Sequence, residues 1–233
     1  MSRKQFFIIV DTETTQQNTV ADFAAVVIDR TGKIHAQCAV LVHGHYGTHE
    51  LFHYVAEDGS VWGKRGLELR KQNYTKMLEN GSRMIASVGA INTWLAKASD
   101  TYKPTLTAYN LPFDIDKCEK TGIVLPFDDS FCLWQLAVGN LVNSKEYRNF
   151  VLQNHLFNTP TGLGNMTFQT NAEVMASFLH GSMLPPEPHT ALEDILDYEV
   201  PILKAIVKKK KFREKAIAYN WRECQVKNHF TAL

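Results

Sequence analysis

The chain has 233 residues, 45% of them hydrophobic, with a formal net charge of +1 at pH 7. That is apolar material enough for one large core, and the near-neutral balance excludes a strongly basic or acidic protein while leaving room for a local patch of either sign. No apolar run approaches the ~20 residues of a membrane span, and the run from Phe6 to Val10 is too short for the hydrophobic region of a signal peptide.

Cys38, Cys118, Cys132 and Cys224 lie far apart with no C-x-x-C pair, which argues against a thiolate zinc site and a disulfide scaffold. We therefore expect a cytoplasmic protein with no membrane partner. In that setting the N-x-T sequons at Asn73 and Asn165 carry no meaning.

Phe6-Phe7-Ile8-Ile9-Val10 runs directly into Asp11-Thr12-Glu13-Thr14-Thr15. A continuous apolar run with polar bounds predicts a strand buried on both faces. Side chains alternate along a strand, so Asp11 and Glu13 project from one side at its C-terminal end. Two like charges at the mouth of a core strand are costly unless a cation lies between them. Carboxylate oxygens suit Mg²⁺ or Mn²⁺.

Phe23 to Asp29 and Ile34 to Val42 read as two further strands around the turn Arg30-Thr31-Gly32-Lys33, an antiparallel meander with the first. His43 to Gly66 has no clean period and reads as a long loop or insertion. Helices follow over Leu67 to Glu79 and along the stripe Val88, Ile91, Leu95, Ala98. Thr105 to Asn110 predicts a strand, Asp114 to Lys120 a short helix, and Phe131 to Val142 and Tyr147 to Leu156 two more helices.

Thr170-Asn-Ala-Glu173 has the capping-box pattern for a helix ending at Gly181. A last helical region begins near His189, with Pro201 expected to break or kink it. The organisation expected is an α/β domain over residues 1–205 with a helical extension over 206–233 packed on it.

Two more acidic sites fall where strands meet helices. One is Thr107-Ala108-Tyr109-Asn110-Leu111-Pro112-Phe113-Asp114; the other is Glu187-Pro188-His189-Thr190-Ala191-Leu192-Glu193-Asp194. D-x-E followed by Thr-Thr, then N-x-x-F-D, then H-x-A-L-x-D resembles, in the same order, the three motifs of the DEDDh (DnaQ-like) 3′→5′ exonucleases. The set spans residues 11 to 194.

The resemblance implies an α/β fold of RNase H-like type with a mixed five-stranded sheet flanked by helices, and two divalent cations, Mg²⁺ or Mn²⁺, about 3.5–4 Å apart. By it Asp11, Glu13 and Asp194 hold one ion, and Asp11 and Asp114 the other. His189 is the general base, and a pKa near its ordinary ~6.5 would suit that role. Thr14 and Thr15 lie against the terminal nucleotide; Asn110 and Phe113 belong to the same motif as substrate contacts. The implied partner is nucleic acid held at a 3′ end, DNA before RNA, with 5′-mononucleotides released. An exoribonuclease similar to RNase T or oligoribonuclease is the alternative within the resemblance. A non-catalytic nucleic-acid-binding module is the alternative outside it.

Competing assignments stand beside several of these residues. Asp114 could be a helix cap, with Asp116 the ligand, and Glu193 and Asp197 compete with Asp194. Tyr109 occupies a place where the family often has histidine. His45, His49 and His53 have i, i+4 spacing that could align imidazoles for a metal, but Gly44 and Gly47 argue for a loop that is solvated or touches substrate. Phe52, Tyr54 and Trp62 could stack bases or pack in the core. The run Lys208 to Lys211, with Arg213, reads equally as a solvated face or as a guide for a phosphate backbone.

Overall fold

The computed structural model describes residues 5–54, 62–158, 166–208 and 224–226. Its centre is a sheet of six strands: β1 (Phe6–Thr14), β2 (Val20–Asp29), β3 (Ile34–Val42), β4 (Met84–Ala86), β5 (Thr105–Ala108) and β6 (Ser130–Cys132), in the order β4-β3-β2-β1-β5-β6. The sheet is mixed. β1–β2 and β2–β3 pair antiparallel, as the short connections require, while β3–β4, β1–β5 and β5–β6 pair parallel.

The expected count of five strands is thus corrected to six. β4 and β6 have three residues each, too few to show a period, and β6 takes the start of a stretch that reads as apolar helix.

β1 is buried on both faces. Phe7 and Ile9 point into a core built with α4 (Leu133–Ala137), α5 (Lys145–Gln153), α6 (Ala172–His180), α7 (Ala191–Asp194) and α8 (Val200–Val207). Ile8 and Val10 point the other way, towards α2 (Val88–Tyr102) and α3 (Leu111–Thr121). A smaller cluster of Ala21, Leu41, Leu51, Leu67 and Tyr74 seats α1 (Lys64–Glu79). α1 begins three residues before its apolar periodicity does, at the C-terminal border of the expected insertion.

The helix expected to open at Asp114 begins instead at Leu111, with Asn110 as its cap at φ +81°, a left-handed conformation asparagine tolerates. The cap of α6 is Asn171, whose side chain accepts from the Val174 N–H, in place of Thr170. Pro201 does not break the last helix. A π-helical turn over Ile195–Glu199 links α7 to α8 and lies immediately before the proline, whose ring has no N–H and crowds the carbonyl four residues back.

α8 runs through the expected boundary at residue 205. Residues 224–226 lie against the domain, where Gln225 bridges to Thr167 and Cys224 and Val226 join the core. The rest of the expected helical extension lies outside the described residues. None of the four cysteines is in a disulfide, and among the described residues no helix is long and apolar enough to cross a membrane.

Candidate active site

The two carboxylates of β1 rise from the face that carries Phe7 and Ile9, as strand alternation requires. Each is held by ladder partners: Asp11 lies opposite Ala24, and Glu13 opposite Asp22, just before a shift in register at Thr14. Thr12 points to the opposite face, where its hydroxyl donates to Asp114 Oδ1 at 2.8 Å. That bond fixes α3 to β1. It also separates Asp114 from its competitor, because Asp114 is 2% exposed while Asp116 is held at the surface by Lys117 and Lys120.

His189 and Asp194 come from the start of the last helical region. His189 has a left-handed backbone, φ +53°, and its carbonyl accepts from the Tyr74 hydroxyl at 3.4 Å. α7 is anchored to β2 through a buried network. Asp22 Oδ2 accepts from the Ala191 N–H at 3.0 Å, Arg83 Nε donates to Asp22 Oδ1 at 3.2 Å, and Arg83 Nη2 donates to Glu193 Oε2 at 2.5 Å. Glu193 is therefore spent on structure, and Asp197 is exposed, which leaves Asp194 as the acidic side chain of α7 in the site.

Asp11, Glu13, Asp114, Asp194 and His189 line one cavity of about 460 Å³, with Glu187 and Glu199 beside them. Glu13, His189 and Asp194 offer ligand atoms within 4.8 Å of one another. His189 Nδ1 lies 3.8 Å from Glu13 Oε1, and Arg70 Nη1 lies 4.0 Å from Glu13 Oε2. Glu187 and Glu199 stand outside the residues singled out from the motifs. For Glu199 the signal is hidden by the π-turn, since five residues past Asp194 is a different face of an α-helix.

Burial raises every one of these carboxyls. It lifts Asp114 to about 7 against the Thr12 hydrogen bond, Glu187 to about 7, and Glu13 to about 8 against the pull of the Arg70 guanidinium. Asp194 rises to about 10, burial first and the charges of Glu13, Glu187 and Glu199 after it. Asp11 and Glu199 are also pushed well up, again by burial first. The imidazole moves the other way: burial, then the Arg70 charge, hold His189 at about 4, below the expected ~6.5.

Asp194 Oδ1 and Glu199 Oε2 are buried with no hydrogen-bond partner. Crowded oxygens with orphaned lone pairs, each unwilling to carry its charge alone, are a donor set that fits hard divalent cations.

The remaining predicted contacts divide. Thr14, Asn110 and Phe113 line the cavity; Thr15 does not, being fully buried with its hydroxyl 2.8 Å from that of Thr19 in the turn to β2. Phe52, Tyr54 and Trp62 form one wall. Phe52 meets both of the others edge-on, and the Trp62 ring centroid lies 4.3 Å from that of His189. Arg70 sits over the Trp62 ring at 4.8 Å. Among the described residues, the histidines from His43 to His53 bring no three ligand atoms together; His53 instead bonds Gln16. Of the basic run, Lys209 to Lys211 and Arg213 lie outside the described residues.

No protein-family model matches this chain, and no curated protein matches it significantly. Chemistry must therefore be argued from the site. A second cavity of about 490 Å³, between α3 and β6, is lined largely by apolar side chains such as Leu106, Ile123 and Phe127 and gathers no comparable set of ionisable groups.

Proposed function

We propose that the chain is a divalent-cation-dependent 3′→5′ exonuclease of DEDDh (DnaQ-like) type, with an RNase H-like fold, acting on single-stranded or frayed DNA. One observation carries this reading. Four carboxylates and a histidine, drawn from three sequence motifs up to 183 residues apart, meet in a single cavity. The mixed sheet with helices on both faces is compatible with the fold that the resemblance implies.

Asp11, Glu13 and Asp194 would hold one cation and Asp11 with Asp114 the other. Bound there, the two ions supply charge stabilisation for the attacking and leaving oxygens of a phosphodiester. The chain's own residues do the rest. Thr12 keeps Asp114 turned inward, and the Asp22–Arg83–Glu193 network holds α7, so that Asp194 and His189 keep their positions against β1. His189, held at about 4, starts neutral at pH 7 as a general base must, but as a weaker base than the expected ~6.5 would make it. Its ring, with Nδ1 3.8 Å from Glu13 Oε1, stands beside the cation ligands to take the proton of the attacking water. The aromatic wall of Phe52, Tyr54 and Trp62 lines the cavity, and aromatic surface there suits the unpaired bases of a single strand without asking for a particular sequence.

The test is degradation of 5′-labelled DNA and RNA strands of matched sequence in Mg²⁺ or Mn²⁺. DNA is expected to shorten from its 3′ end, and EDTA to stop it. The Asp11→Ala variant is expected to lose hydrolysis while partly retaining binding to a 3′ end. Full activity in both EDTA and Asp11→Ala overturns the metal mechanism. DNA left intact beside degraded RNA moves the substrate to RNA.

A further inference from the structure

Glu199 belongs to none of the three motifs, yet it lines the same cavity as Asp11 and Asp114. On a regular α-helix a residue five past Asp194 faces elsewhere, since neighbours on one face are three or four apart. Here Ile195–Glu199 is a π-helical turn, closed by the Val200 N–H on the Ile195 carbonyl, and i→i+5 spacing brings Asp194 and Glu199 to one side. Such turns are frequent at functional sites.

The Glu199 side chain is tethered at one oxygen and open at the other. Oε1 accepts from the Tyr109 N–H at 3.2 Å, next to the Asn110 cap of α3. Oε2 is buried without a hydrogen-bond partner, in a residue only 3% exposed. A structural acceptor for one N–H needs one oxygen and no charge. A glutamine would serve, and neighbouring carboxylates would not repel it. A buried carboxyl with one unpartnered oxygen, in a cavity lined by other carboxyls, fits the role of a cation ligand.

We propose that Glu199 is a further carboxylate ligand of the divalent-cation centre, in the cavity that Asp11 and Asp114 also line. The inference rests on the metal site of the exonuclease reading and adds a ligand that its motifs do not contain. The Tyr109 bond orients the carboxylate, as outer hydrogen bonds commonly do for metal ligands.

Calorimetric titration of EDTA-stripped protein with Mn²⁺ tests it without recourse to activity. Wild type is expected to bind two ions. Glu199→Gln keeps the size and the acceptor for Tyr109, so its melting temperature in EDTA should be at least that of wild type, while affinity for one of the two ions falls by about tenfold or more. Glu199→Asp, with the charge on a shorter arm, should lie between them. If Glu199→Gln binds both ions as wild type does, the inference fails and the exonuclease reading stands. If wild type binds no divalent cation, the exonuclease reading itself fails.

Discussion

The two sides of the site are built from different materials. On the strand side, Asp11 and Glu13 are carried by β1, whose backbone is paired to β2 along its full length and to β5 from Phe7 to Ile9, and whose side chains are packed on both faces. Their positions are over-determined by a ladder. On the helix side, His189 and Asp194 hang from a four-residue helix that runs straight into a π-turn. That segment packs Ala191, Leu192 and Ile195 into the core, and its polar anchors are one buried guanidinium between two carboxylates, the Ala191 N–H on Asp22 and the Tyr74 hydroxyl on the His189 carbonyl. The strand side can lose a side chain and keep its shape. The helix side adds to its core packing polar partners that the strand side lacks, each costly to leave unpaired.

Substitutions should separate the two. The largest effect on chemistry belongs to Asp11→Ala, which is expected to bring nuclease activity to background while leaving the melting temperature in EDTA unchanged or higher, because a crowded like charge is removed. A melt well below wild type would mean that Asp11 is a structural residue and that the ladder alone does not hold the strand side.

Arg83→Met should do the reverse. It leaves Asp22 buried without its cation, at a cost of about 3–5 kcal/mol in urea unfolding, and activity falls through loss of α7 placement. Wild-type stability in that variant would remove the contrast between the two sides. Next in size is His189→Ala, expected to slow turnover by about 10²-fold with little change in stability. Wild-type rates would place the base elsewhere.

The smallest effect is on the pH dependence of metal stabilisation. Glu13 and Asp114 have folded-state values near 8 and 7, above the ~4 of an unfolded carboxyl. In EDTA the folded protein therefore keeps protons that the unfolded chain releases, and stability present below pH ~4 is lost as pH rises through 7 and 8. Divalent cations replace those protons, so the rise in melting temperature on adding Mn²⁺ should be greater at pH 8 than at pH 6. An increment that does not change with pH would mean that the ions bind away from these carboxyls.

The same contrast explains what could be read from the chain beforehand. β1 was legible because five consecutive apolar residues meeting two carboxylates admit few other structures, and the structure buries it on both faces. Asp114 and Asp194 were legible as positions in motifs, although the helix around Asp114 starts a full turn earlier than its acidic residue suggests.

What was hidden depends on partners distant in sequence. The Arg83 network joins residues 22, 83, 191 and 193, and no local pattern announces it. Glu199 was hidden by a change of helical period that Pro201 alone did not reveal. The lowered basicity of His189 follows from burial beside Arg70, which comes from another helix. Thr15, adjacent to a cavity residue in sequence, turns away because the register shifts after Glu13.

The pairing of β1 with β5 has a consequence in time. Phe7 lies beside Thr105, so this parallel contact closes a loop of nearly a hundred residues, the kind of non-local step that slows folding. Asp194 lies almost ninety residues further on. As a chain emerges from the ribosome its early strands can pair first, but no set of ligands can close around a cation until the last of these segments has arrived. An enzyme of the proposed kind would thereby lack a complete site for most of its synthesis.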